Sequence, residues 1–236
     1  MENQQASERG VAAVDRAVSI LRAMSAQASP ISLADLARAT GLYKSTALRL
    51  IASLERASLV ARCSDGNYVL GTYAYQLGQA YEGTHHLVDV LRPILAQLVE
   101  RGSESASFHV YNNSDTRLCI LRIDSHHSTL DSIRTGDLLP LDRGAAGKLL
   151  SAFHGKALVP TASNVAALSI GERDPHCAAV AVAVFDSSND IVGAISLSGP
   201  RERFTAESIA AMTEQCCVAA ARATELFGGK WPCHKS

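Results

Sequence analysis

The stretch SLADLARATGLYKSTALRLIASLER, from Ser32 to Arg56, decides how the first part of this chain folds. Ser32 precedes an apolar-periodic run and Asp35 follows three residues later, the spacing of a capping box. Leu33, Leu36 and Ala37 face inward on the helix so started, and Gly41 cuts it short. A longer helix then runs over about 43–57. A short helix, a tight glycine-bearing turn and a longer helix form the pattern of a helix-turn-helix.

On a wheel of about 100° per residue, Tyr43, Ala47, Leu50, Ile51, Leu54 and Ala57 share one side of the longer helix. Ser45, Arg49, Ala52 and Arg56 line the opposite side, with Lys44 and Leu48 at one edge. The apolar arc anchors the helix and leaves small and basic residues facing outward. A helix entering a DNA major groove has this character, its first residues nearest the base edges. Between Leu36 and Arg62 the chain carries Arg38, Lys44, Arg49, Arg56 and Arg62 against the single acid Glu55. That local imbalance suits phosphate.

Two short strand-like runs, 59–62 and 68–70, are joined through Asp65-Gly66 and read as a β-hairpin. Behind a recognition helix such a hairpin is a wing, and Arg62 on it could reach phosphate or the minor groove. The same elements also describe a small helical bundle that never meets nucleic acid, and the charge imbalance argues for DNA. Upstream, Val14, Ala17, Val18, Leu21 and Met24 define an amphipathic first helix over 11–26, ended by Ser29-Pro30.

Downstream, Tyr73, Leu77 and Tyr81 lie four apart on a connector over 72–82, a stripe expected to pack on a partner chain or a second domain. A helix over 87–101 places Leu91, Ile94, Leu95 and Leu98 inward, with Pro93 leaving its start open. The period then changes to that of strands at 106–111, 117–123 and 129–134. A short helix at 144–153, strands at 177–185 and 191–197, and a long helix capped by Thr205 and reaching Leu226 complete the chain. Strands with helices on one side indicate an α+β sensor-like domain.

In that domain Ser196 and Ser198 alternate with Ile195 and Leu197, so both hydroxyls share one face of a strand. Two hydroxyls beside the amides of a helix starting near Gly144 suit a small anion. Arg134 and Arg143, close by in sequence, are candidates to pair with a carboxylate.

The bulk properties narrow the function classes. With 236 residues, 47% hydrophobic and 19% charged, the chain is ordinary globular protein, and a formal net charge of −1 excludes a protein basic all over. The first ten residues are polar and no apolar run is long enough to span a bilayer, so a cytoplasmic protein with free thiols and no membrane association is expected. Of the six cysteines, Cys63 on the wing is the one whose oxidation would plainly disturb DNA contact. His85, His86, His126, His127, His176 and Cys177 are poorly spaced for a closed metal site. The segment from Gly144 to Lys148 lacks the spacing and hydroxyl of a nucleotide-binding loop, and no nucleophile elbow is present. No metal, cofactor or enzymatic activity is expected.

Taken in order, the motifs resemble the IclR family of bacterial regulators across almost the whole chain. They are Ala17-Val18-Ser19-Ile20-Leu21, Leu33-Ala34-Asp35-Leu36-Ala37, Gly41-Leu42-Tyr43-Lys44-Ser45-Thr46 and the wing Asp65-Gly66-Asn67-Tyr68-Val69-Leu70-Gly71. Farther on come Pro140-Leu141, Gly144-Ala145-Ala146-Gly147-Lys148, Gly171-Glu172-Arg173-Asp174-Pro175 and Ile195-Ser196-Leu197-Ser198-Gly199-Pro200. The resemblance implies a winged helix-turn-helix at 1–71, a linker and dimerisation helix at 72–84, a GAF-like effector domain at 85–229 and a tail at 230–236. It implies a repressor or activator that binds promoter duplex as a homodimer or a pair of dimers, with Tyr43, Lys44, Ser45, Thr46, Arg49, Arg56, Arg62 and Asn67 at the DNA. It also implies a small organic acid, aromatic acids among the candidates, held by Gly144, Ala145, Ala146, Ser169, Ala179, Ser196 and Ser198. Two departures stand out: Ser169 and Ala179 replace an acid and a cysteine found in members that bind keto acids. The stretch from Ser151 to Ile170 is also shortened where the family carries extra helices that wall the pocket. The alternative is an oligomeric DNA-binding protein with a vestigial pocket and no ligand response.

Overall fold

The computed structural model describes residues 10–27, 29–125, 132–156 and 158–232. The chain divides after His85 into two compact units. The first contains α1 (Ala12–Ser25), α2 (Leu33–Thr40), α3 (Lys44–Arg56), the hairpin strands β1 (Val60–Arg62) and β2 (Tyr68–Leu70), and α4 (Thr72–His85).

Local chemistry sets the helix-turn-helix. The Ser32 hydroxyl accepts the Asp35 N–H at 3.1 Å and donates to the Asp35 carboxylate at 2.7 Å, occupying a first-turn donor that α2 would otherwise leave unpaired. At its other end Gly41 adopts φ +68°, a left-handed position that glycine takes without strain. The turn lays α3 across α1 and α2 over a core of Ile20, Met24, Leu36, Ala47, Ile51 and Leu54. Two residues expected in the apolar arc are outside it: Tyr43 is 85% exposed and Ala57 is exposed. They occupy the N-cap and C-cap positions of α3, where the helical angle per residue no longer applies. The hairpin pairs Val60 with Leu70 and Arg62 with Tyr68. Ile31 exchanges two backbone hydrogen bonds of 2.9 Å with Tyr68, stitching the wing to the loop before α2.

The second unit contains α5 (Leu87–Glu100), β3 (Ser105–Tyr111), β4 (Thr116–Asp124), β5 (Leu138–Pro140), α6 (Ala145–Phe153), β6 (Ala166–Ile170), β7 (Cys177–Phe185), β8 (Ile191–Pro200) and α7 (Ala206–Leu226). The six strands make one sheet in the order β5-β4-β3-β8-β7-β6, each pair antiparallel. The period of two gives the sheet two different faces. Phe108, Val182, Val184, Ile195 and Leu197 pack with α5 and α7, whereas Ala181, Ala183, Phe185 and Ala194 pack with α6. Helices therefore cover both faces, correcting the expectation of one.

Pro93 is accommodated inside α5, which runs unbroken from Leu87. Thr205 caps α7 as expected, its hydroxyl accepting the Ser208 N–H at 3.2 Å. The strand expected at 129–134 falls partly outside the described residues, and Ile133 and Arg134 belong to no strand. The third strand of that meander is instead the three-residue β5, and the edge strand β6 was not anticipated.

Candidate functional site

In the first unit α3 presents Lys44, Ser45, Leu48, Arg49, Ala52 and Arg56 to solvent, with Thr46 half-buried. Arg56 donates to the Ser53 hydroxyl at 3.1 Å. Among the described residues no carboxylate pairs with Lys44, Arg49, Arg56 or Arg62. The Arg62 guanidinium lies 5.8 Å from the Tyr68 ring centroid, which steadies it on the wing. Asn67 is tied at the wing tip, its backbone N–H and side-chain amide both donating to Asp65, at 3.0 and 2.9 Å. The unit thus offers an uncompensated cationic face on a helix and hairpin, able to engage a polyanion.

In the second unit, on the α6 side of the sheet, lies a cavity of about 40 Å³. It gathers residues expected at the site from four elements: Gly144, Ala145 and Ala146 at the start of α6, Ser169 on β6, Ala179 on β7, and Ser196 and Ser198 on β8. The β3–β8 register puts Ser107 opposite Ser196 and Ser105 opposite Ser198. Ser105 and Ser198 join hydroxyl to hydroxyl at 2.9 Å, and Ser107 meets the His109 Nε2 at 2.9 Å.

The arginine expectation needs correcting. Arg134 and Arg143 are exposed and neither lines the cavity. Arg134 donates its backbone N–H to Asp137 at 2.7 Å, and the Arg143 side chain pairs with Asp142 at 3.3 Å. The buried cation at the cavity is Arg117 of β4, 3% exposed, and Arg173 also lines it. Its Nη1 donates to the Pro140 carbonyl and, at 2.9 Å, to the Arg143 carbonyl, which holds the guanidinium against the first turn of α6. Gly147 makes that approach feasible: a Cβ there would sit 2.5 Å from the Leu141 carbonyl oxygen and 2.8 Å from Arg117 Nη1. Sequence reasoning also missed Ser107, His109, Arg173 and Asp174. For Ser107 and His109 a signal existed, since their period-two spacing matches that of Ser196 and Ser198.

Arg173 and Asp174 reach the cavity from a loop that Glu172 fastens down. The Glu172 carboxylate accepts the Gly144 N–H at 3.1 Å and the Lys148 ammonium, while Lys148 also donates to the Leu168 carbonyl at 3.0 Å. Burial raises the Glu172 pKa, but Lys148 and the Gly144 N–H outweigh it and hold the carboxyl below its ordinary value. The Arg117 and Arg173 guanidinium groups, the helix-terminal amides and the serine hydroxyls favour negative charge in the cavity, and the Asp174 carboxylate opposes them. Burial pushes the Cys216 and Cys217 thiols up, so neither is a ready thiolate at neutral pH. Among the described residues no group of three His, Cys, Asp or Glu side chains is arranged for a metal ion, and no helix is long and apolar enough to cross a membrane.

A winged helix-turn-helix with a cationic outer row, joined in one chain to a domain with a polar cavity, defines a DNA-binding regulator rather than an enzyme. Comparison with known proteins agrees. Residues 13–63 match the IclR helix-turn-helix domain, and residues 155–224 match the bacterial transcriptional regulator IclR C-terminal domain. The transcriptional repressor IclR of Escherichia coli K12 is 24% identical, covering 93% of this chain and 91% of that protein. The acetate operon repressor of Salmonella typhimurium LT2 is 23% identical with the same coverage. Among solved structures, Thermotoga maritima IclR aligns with a TM-score of 0.68 at 20% identity, over 91% of this chain and 98% of that one. An IclR homologue from Microbacterium hydrocarbonoxydans, solved in complex with 4-hydroxybenzoate, aligns with a TM-score of 0.73 at 16% identity, over 91% and 100%. The chain belongs to the IclR family of transcriptional regulators.

Proposed function

We propose that this regulator binds operator duplex through α3 and the wing, and that a small organic acid in the second unit's cavity modulates the binding. The observation that carries the effector reading is the convergence of Arg117, the start of α6 and the Ser196 and Ser198 hydroxyls on one cavity. A water needs about 10–15 Å³ of such space, so about 40 Å³ suits a carboxylate with few further heavy atoms. The volume favours a compact acid over an aromatic one, which would require the Glu172-fastened loop to move. Modulation requires the acid to bind one arrangement of the DNA-binding heads better than another.

The test is calorimetric titration of compact and aromatic acids into the protein, with and without operator. Heat for a compact acid, with an affinity that operator changes, supports the proposal. Silence for every acid would leave a DNA-binding protein with a vestigial pocket.

At the DNA the assigned residues are Tyr43, Lys44, Ser45, Thr46, Arg49 and Arg56 on or beside α3, and Arg62 and Asn67 on the wing. Arg49→Ala should cost about 1–3 kcal/mol of discrimination between operator and mismatched duplex if its guanidinium reads a base edge. Arg62→Ala should weaken all duplexes alike and reduce the salt slope by about one contact. Mobility shifts over promoter fragments at several salt concentrations distinguish the two. A wild-type protein that preferred no fragment over random duplex would overturn specific recognition.

Homodimerisation is proposed through α1 and α4. Val11 at the N-cap of α1, Val14 and Val18 on α1, and Tyr73, Tyr75, Leu77 and Tyr81 on α4 are all exposed, Tyr75 by 71%. Apolar surface of that kind marks an interface, and two heads would meet half-sites about 34–36 Å apart or a multiple of that. Leu77→Asp combined with Tyr81→Asp should shift sedimentation at micromolar concentration from dimer to monomer. A wild-type chain that stayed monomeric with operator-length DNA present would refute the proposal.

A further inference from the structure

The lining of the second unit's cavity sorts into two chemistries. Around the start of α6 stand donors: the Arg117 guanidinium, and the first N–H groups of a helix that has no side-chain cap. Elsewhere stand acceptors. Ser107, 1% exposed, lies 2.9 Å from His109 Nε2 and 3.4 Å from the Ser196 carbonyl. A hydroxyl has one proton to give and two lone pairs, so whichever neighbour takes the proton, Ser107 keeps a lone pair for the cavity it lines. The Asp174 carboxylate accepts the His176 N–H at 2.9 Å and has further lone pairs to offer. Two guanidinium groups, Arg117 and Arg173, against the Asp174 carboxylate leave the lining with one positive charge in excess. Glu172 does not alter that balance, because it is engaged by Lys148 and the Gly144 N–H outside the lining.

Resting on the proposal that an organic acid occupies this cavity, we infer that the acid is a compact hydroxy monocarboxylic acid whose hydroxyl is read by Ser107 and Asp174. One carboxylate neutralises the excess charge and meets the donors at α6. A plain carboxylic acid would stop there and leave the Ser107 and Asp174 acceptors without a partner, which is costly once water is displaced. A keto acid brings another acceptor where a donor is wanted. A dicarboxylate sets like charge against Asp174, and an amino acid brings an ammonium group to a lining already in excess of positive charge. A hydroxyl on the carbon beside the carboxylate supplies the missing donor within a cavity of about 40 Å³. Ser107 and Asp174 are therefore specificity-determining residues, separate from the groups that hold the carboxylate.

The test titrates the full-length protein with lactate, propionate, pyruvate and malonate, acids of similar size that differ in one functional group. Lactate should bind roughly 10- to 100-fold more tightly than propionate, the range expected for one buried hydroxyl bond made or lost. Pyruvate should do no better than propionate, and malonate should do worse. Ser107→Ala removes one oxygen from a strand that backbone pairing holds, and Asp174→Asn alters a half-buried loop residue that can still accept the His176 N–H. Ser107→Ala should cut the lactate-to-propionate ratio roughly tenfold with propionate unchanged. Asp174→Asn should cut the ratio as well, while strengthening propionate and admitting malonate. Equal affinities for lactate and propionate, or pyruvate matching lactate, would overturn the inference while acid binding stood. Parallel loss of both acids in Ser107→Ala would mark that serine as structural and overturn its assigned role. Silence for all four acids while a larger acid bound would overturn the chosen class, whereas silence for every acid would remove the effector reading itself. Tight lactate binding that operator left unchanged would sustain the inference and remove only the modulation.

Discussion

Arg117→Ala should remove the acid response altogether and destabilise the second unit by about 2–4 kcal/mol, with little effect on DNA binding in the absence of acid. The stability loss comes from the Pro140 and Arg143 carbonyls, which the guanidinium now satisfies at the start of α6. Pro140 and Arg143 are exposed residues whose carbonyls can turn to water, so each lost bond costs only about 1 kcal/mol, and the vacated volume at a side chain only 3% exposed adds to it. Relief from burying a charge works in the opposite direction, so the estimate stays below the sum of the separate penalties. For a unit of this size the loss corresponds to a fall in Tm of roughly 5–15 °C. Arg117→Met separates volume from charge: it should recover part of the stability and none of the acid response. The first unit has its own core, so operator affinity without acid should hold near wild type. Scanning calorimetry with acid titration reads all three quantities. A variant that still answered the same acid with the same affinity would show that the cavity cation is not the ligand's partner.

Gly193→Ala should be comparably damaging to stability, although it adds a single methyl group. Gly193 lies on β8, where its missing side chain leaves room for the Phe108 ring of neighbouring β3. A Cβ would overlap two ring atoms and lie 2.6 Å from the His109 carbonyl oxygen. Phe108 is fully buried among α5, α7 and the sheet, so the ring has no empty space to turn into. Overpacking of this kind costs about 1–3 kcal/mol and sometimes more, and backbone on one side of the clash argues for the upper end. Phe108→Leu combined with Gly193→Ala should lose less than the two separate effects added together, because the smaller side chain makes room. Urea midpoints for the four proteins of that cycle test the coupling. An unchanged midpoint in Gly193→Ala would mean that the strands separate there at little cost.

The helix-turn-helix was legible because its signals are local: the Ser32 cap, the Gly41 turn and the apolar spacing of α3 all act within a few residues. The error at Tyr43 arose where that locality ends, since a wheel describes only residues already in the helix. In the second unit the positions on β8 and at the start of α6 could be anticipated from alternation and a glycine-led helix start. The buried cation could not. Arg117 reaches the start of α6 because β4 pairs with β5 immediately before it, a pairing that joins Thr116 to Pro140. Sequence proximity favoured Arg134 and Arg143 instead, and chain neighbours need not point the same way. The edge strand β6 carries only weak alternation, and its pairing with β7 is what defines it.

The alternation along β3 and β8 has an evolutionary consequence. Phe108, Ile195 and Leu197 answer to the helices on one side of the sheet, while Ser107, Ser196 and Ser198 answer to the cavity on the other. Selection for a new effector can therefore act on every second residue of a strand while purifying selection holds the residues between. A combinatorial library confined to Ser107, Ser169, Ala179, Ser196 and Ser198 would explore ligand preference on a scaffold that still folds. The same diversity shifted by one position along β3 and β8 would be spent on chains that mostly do not.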